Sequence, residues 1–247
     1  MNKDPFETYL KESEPEKREK GYAWQTAIGL QAVDGLETSE YLIQTAKRNI
    51  EGEISFEKAN ELINSYYEEH PKNSDEERTE EADKVSARIA QILSEKSFSF
   101  TPVQYLSIHQ RLFEGIYPHA GKMRDYNVTK KEWVLDGDTV LYGGATELKA
   151  TLEYDFNKEK EFCYKGLTMD EIIKHLALFV ARLWQIHIFA EYAWYFRNAL
   201  VRANYNNLKK GVHETTKYLE LFLRNMLLDE CNELHNREMH VSGVFEK

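Results

Sequence analysis

Apolar residues recur at helical spacing along nearly the whole chain. Trp24, Ile28, Leu30, Val33 and Leu36 open the first pattern, with Gly35 near its close. Thr38 and Ser39 then stand as N-cap candidates before Tyr41, Leu42, Thr45, Ala46 and Ile50, and Gly52 ends that run. Ser55 opens a third run carrying Phe56, Ala59, Leu62, Ile63 and Tyr66. These runs predict a small helical module over residues 21–70, behind a polar, loosely ordered tail over 1–20. His70-Pro71-Lys72-Asn73-Ser74 reads as a linker by composition.

The remainder, 71–247, predicts a larger helical domain. A charged helix is expected from about 75 to 96, with Val85, Ile89, Ile92 and Leu93 on one side. Thr101-Pro102 supplies an N-cap and first-turn proline for a helix over 102–114. The texture changes over 128–142, where β-branched and aromatic residues flank Asp136-Gly137 and predict a β-hairpin. Helices are expected again near 145–160, 169–187, 193–209 and 215–235. The fold class is therefore all-α with one hairpin. A two-stranded ribbon is marginal alone, so it is expected to pack on the helices beside a site.

Composition agrees with that class and narrows the function. Gly and Pro number only 12 and 5 in 247 residues, which suits a helical protein. There are 32 Lys and Arg against 42 Asp and Glu, a net charge of −10. A polyanion is repelled by phosphate backbones, so nucleic acid is not expected as the main partner. Cys163 and Cys231 are two isolated thiols and match neither a disulfide framework nor a zinc cluster. His235 and His240 lack the supporting ligands of a metal centre. No stretch approaches the roughly 20 apolar residues of a membrane span, and the charged start is no signal peptide. A cytoplasmic protein is the expectation, with its oligomeric state open.

Two segments carry candidate chemistry. The first, residues 113–128, contains Gly121-Lys122-Met123-Arg124 and leads into the hairpin. The second reads Leu183-Trp184-Gln185-Ile186-His187-Ile188-Phe189-Ala190-Glu191. Together they resemble the Fic family, whose signature runs H-x-F-x-[DE]-G-N-[GT]-R and whose hairpin, the flap, clamps a target protein by backbone pairing. The resemblance implies a Fic-type helical bundle that transfers AMP from ATP, with Mg²⁺, to a protein hydroxyl. It implies that His187 is the general base, since an imidazole titrating at about 6.5 suits that task. It makes Glu191 the Mg²⁺ ligand on the nucleotide phosphates. Lys122 and Arg124 would face the phosphate pocket, although a mixed-charge surface loop is the equally simple reading of that pair.

The match then stops. The Gly-Asn-Gly nest positions hold Tyr192, Ala193 and Trp194, the Arg position holds Tyr195, and the second Arg position holds Asn198, with Arg197 one residue early. Bulky aromatics cannot take the left-handed backbone of an anion nest cheaply. An internal excision of the nest and the helix after it accounts for the pattern. The expectation is a transferase with impaired catalysis. The alternative is a non-enzymatic interaction protein of toxin–antitoxin type. Residues 27–55 are similar to the antitoxin-like module that accompanies some Fic domains, which makes Asp34 the counterpart of its inhibitory acid, one methylene shorter. Taken alone, His187 reads as a core or capping histidine, Glu191 as a solvated helix residue, and Tyr192, Trp194 and Tyr195 as core.

Overall fold

The computed structural model describes residues 5–33, 36–70, 76–185, 194–228 and 230–244. Two compact units divide the chain, Met1–Lys122 and Met123–Lys247.

The first unit carries α1 (Glu7–Leu10), α2 (Pro15–Val33), α3 (Glu40–Ile50), α4 (Phe56–Glu69), α5 (Glu76–Ser94) and α6 (Pro102–Phe113). Hydroxyl caps start three of them. Ser39 Oγ accepts the Leu42 N–H at 3.1 Å, Ser55 Oγ the Lys58 N–H at 3.2 Å, and Thr101 Oγ1 the Gln104 N–H at 3.1 Å. Each cap satisfies a backbone donor that the first helical turn cannot. The apolar faces meet in a core of Trp24, Ala27, Leu42, Ala46, Ile50, Ala59 and Ile63, joined by Ala87 and Ala90 of α5. Small alanines on α5 let it lie close along α2. The Trp24 indole N–H donates to Asn49 Oδ1 at 2.9 Å, and Asn49 Nδ2 donates to the Ile54 carbonyl at 3.0 Å. That amide ties α2, α3 and the turn into α4 together in one chain of bonds.

Polarity alone predicts a loose tail over 1–20, and the structure corrects this for the described part. Residues 7–10 are helical and α2 already begins at Pro15. Phe6, only 1 % exposed, anchors the segment in the core. Lys17 then reaches Glu51 at 2.8 Å. One buried aromatic outweighs a run of charges that stay solvated.

Asp83 of α5 is fully buried and receives the Ser39 N–H at 2.8 Å, the Ser39 hydroxyl and the Tyr67 hydroxyl at 2.7 Å. It fixes the start of α3 and the end of α4 against α5, with no cation paired to it among the described residues.

The second unit carries α7 (Leu148–Glu161), α8 (Met169–Gln185), α9 (Trp194–Ala203) and α10 (Lys217–Leu228). A capping box begins α8: the Thr168 hydroxyl accepts the Glu171 N–H at 3.3 Å, and the Glu171 carboxylate accepts the Thr168 N–H at 2.8 Å. The core combines Ile173, Ala177 and Ala181 of α8, Tyr195, Ala199 and Leu200 of α9, and Leu219 and Leu223 of α10. Val134, Leu135 and Val140 enter it from the segment before α7. The helix expected over 193–209 stops at Ala203, where the Asn204 amide donates to the carbonyls of Leu200 and Ala181.

The hairpin expected over 128–142 does not form as a strand pair; no strand occurs among the described residues, which include this whole segment. The reversal itself is where the turn signal places it. Asp136 (φ 56°) and Gly137 (φ 80°) both adopt left-handed backbone. The Glu132 N–H donates to the Asp138 carbonyl at 2.9 Å, and the Gly137 N–H to the Glu132 carbonyl at 3.0 Å. Between these bonds Trp133–Leu135 curls into a 3₁₀ turn. Val134 and Leu135 are both 0 % exposed. Strand neighbours face opposite sides, so a ribbon packed on the core by one face would bury only one of the two.

Candidate functional site

His187, Glu191 and Asp34 lie outside the described residues, as do Tyr192 and Ala193. What is described is the ground on either side of the truncated signature, together with Lys122 and Arg124.

Lys122 is exposed, and its ammonium donates to the Pro118 carbonyl at 3.1 Å. Arg124 is engaged more deeply. Its guanidinium donates to the Tyr126 carbonyl at 2.6 Å and to the Gly143 carbonyl, while Nε is buried with no partner. Asn127 Oδ1 accepts the Ala145 N–H at 2.9 Å. Arg124 and Asn127 therefore close the base of a loop over 126–143.

α9 holds the body of that loop. Arg197 Nη2 meets both carboxylate oxygens of Glu132, at 2.8 and 2.9 Å. The two side chains are 13 % and 4 % exposed, so the pair is largely withdrawn from water. The Tyr142 hydroxyl donates to the same carboxylate at 3.2 Å. Burial, then the negative charge of Glu132, pushes the Tyr142 phenol well above its ordinary value. Lys130 is lowered by burial and by the nearby Arg197 charge, partly offset by Glu132. Further along, the Tyr205 hydroxyl donates to Asp138 Oδ2 at 2.7 Å and holds that carboxyl below its ordinary value.

Two further motif positions, Tyr195 and Asn198, are structural. Tyr195 is 9 % exposed, donates to the Tyr218 carbonyl at 3.2 Å, and its phenol is pushed up to about 12, mainly by burial. Asn198 is 1 % exposed and donates to Asn236 Oδ1 at 2.8 Å. Glu132 is the residue that sequence reasoning missed. Its sequence context, after Lys130-Lys131 and directly before Trp133-Val134-Leu135, reads as a solvated charge at the edge of an apolar run.

Arg124 and Arg197 are not free to face a nucleotide triphosphate. Phosphate recognition needs donors and cations facing the ligand. Arg197 is paired to Glu132, Arg124 is bonded to two carbonyls, and the Arg position holds a core tyrosine. No group of three or more potential metal ligands occurs among the described residues. No helix among them is long and apolar enough to cross a membrane.

The Fic/DOC family model matches residues 99–191, a span that covers the Gly121–Arg124 segment, the loop and the start of the signature. No curated protein and no solved structure matches the chain. Over residues 99–191 this chain is similar to the Fic/DOC family.

Proposed function

We propose that this chain is a Fic-like protein, by descent a transferase of AMP from ATP to a protein hydroxyl, whose nucleotide chemistry is impaired. The observation that carries this reading is the bond between Arg197 and Glu132 at 2.8 and 2.9 Å. It takes up the nearest cation to the vacated second Arg position in a buried ion pair. ATP and Mg²⁺ are the co-substrates the family reading implies, with His187 as base and Glu191 as metal ligand. Among the described candidates, Arg197 is held by Glu132 and Arg124 by two carbonyls, so no chemical step is assigned to them. The same reading takes residues 21–70 as an antitoxin-like module bearing Asp34, residues 71–247 as the Fic-like domain, and the cytoplasm as the compartment.

A second reading is a non-enzymatic binding protein of toxin–antitoxin type that holds a protein partner on the 126–143 loop. It is favoured by the loop's shape, fixed by Arg124, Asn127 and Arg197, and by Trp133 (47 % exposed) and Leu141 (89 %) on its outside.

The deciding test incubates the protein with α-labelled ATP, Mg²⁺ and cell lysate, beside His187→Ala. Label that depends on His187 would overturn impairment. Absence of label, with no ATP-dependent rise in melting temperature, supports it and favours the binding reading.

A further inference from the structure

Arg202 lies on the face of α9 that also carries Tyr195 and Asn198, and it is only 5 % exposed. Its sole hydrogen bond among the described residues is a long one, from Nη2 to the His213 carbonyl at 3.4 Å. Nε and Nη1 are buried with no partner. No carboxylate pairs with it among the described residues; burial pushes the guanidinium below its ordinary value, and the phenols of Tyr218 and Tyr205 offset part of that. A guanidinium cannot shed its proton at neutral pH, and a buried cation is stable only when something accepts its hydrogen bonds.

The surroundings say what that acceptor is. The chain after α9 folds back so that the Thr215 N–H donates to the Arg202 carbonyl at 3.1 Å. Tyr218, in the first turn of α10 (a helix of 12 residues), is an electrostatic neighbour of the same guanidinium. His213 and Tyr218, the two neighbours of Arg202 just named, bracket that start. The first intrahelical bond of this turn runs from the Glu220 N–H to the Thr216 carbonyl at 2.8 Å, so the N–H groups of Tyr218 and Leu219 precede it. His213 and Lys217 are exposed at the rim, and the Lys217 ammonium lies 5.7 Å from the centre of the Tyr218 ring. Glu220, the acid of this turn, accepts the Thr216 hydroxyl at 2.5 Å.

We propose that Arg202 and the N-terminus of α10 form a binding site for a tetrahedral oxyanion of phosphate chemistry. The anion sits between the guanidinium and the first-turn N–H groups, where charge-assisted bonds and the helix dipole act together. The site uses neither His187 nor the 126–143 loop and stands apart from the nucleotide reading.

The test is equilibrium dialysis of the full chain with labelled inorganic phosphate, beside thermal melts in phosphate and in chloride of equal ionic strength. Saturable binding and a melting temperature higher in phosphate than in chloride are expected. Arg202→Met should lose the phosphate-specific rise and bind at least roughly tenfold more weakly, while its melt in chloride is no lower than that of the parent. Phosphate binding to the parent that is non-saturable, or equal melts in the two salts, overturns the site and leaves water as the acceptor; this arm needs no variant. An equal response in Arg202→Met overturns it as well. AMP as a second probe separates the sources. Competition with phosphate marks a phosphomonoester ligand, and failure to compete marks the free ion.

Discussion

Arg197 and Glu132 meet through one guanidinium nitrogen shared between two carboxylate oxygens, 65 positions apart in sequence. Because both are largely buried, neither can lose its partner and be rescued by water. Glu132→Gln is expected to destabilise the protein by about 3 kcal/mol, and Arg197→Met alone by a similar amount. The double variant Glu132→Gln/Arg197→Met should recover most of the loss. Urea unfolding of the four proteins checks this, and additive single effects would refute the pairing.

Asn49→Ala leaves the Trp24 indole N–H buried with no acceptor and the Ile54 carbonyl short of a donor. A loss of about 2 kcal/mol is expected, read by denaturation with tryptophan fluorescence. A change under half of that would mean that water reaches the cavity.

Gly121 and Gly52 share left-handed backbone, at φ +72° and +83°. They differ in space. A Cβ at Gly121 would lie 2.6 Å from Gln110 Cβ, whereas nothing stands within 4 Å of one at Gly52. Gly52→Ala should cost about 1 kcal/mol, from backbone strain alone. Gly121→Ala should cost at least roughly twice that, since Gln110 or the turn itself must shift. Parallel melting curves decide it, and equal losses would refute the steric argument.

Asp83 gives a pH signature. Burial raises its carboxyl above the ordinary value, despite bonds from Ser39 and Tyr67 that lower it. The folded state therefore binds this proton more tightly than the unfolded chain. The stabilising contribution is complete below the unfolded value of about 3.9 and is lost as pH rises through the raised folded value. Asp83→Asn cannot ionise, so the parent should lose stability relative to the variant on going from acid toward neutral pH. Unfolding measured across that range tests the sign, and a parent that gains on the variant would reverse the assignment.

The helices were readable because their signals are local. Ser39, Ser55 and Thr101 cap where a hydroxyl precedes an apolar stripe, and Gly52 lies just past the end of α3, whereas α9 stops at Ala203, well short of the expected Lys209. The hairpin was misread because Asp136-Gly137 specifies a reversal and not what flanks it. Val134 and Leu135 were drawn into a core supplied by α8, α9 and α10, which no local pattern can announce. The same limit hid Glu132, whose meaning depends on Arg197. Two chemical residues, His187 and Glu191, rest on the sequence alone.

The loop closed by Arg124 has one further consequence. A ring fastened at its base has a fixed perimeter, so residues inside it cannot slide past one another. Any change in length must be absorbed at a corner facing water, and Asp136-Gly137 is exposed while Val134, Leu135 and Val140 are not. That corner is where evolution could lengthen this segment, or an engineer graft a peptide, without reopening the clasp.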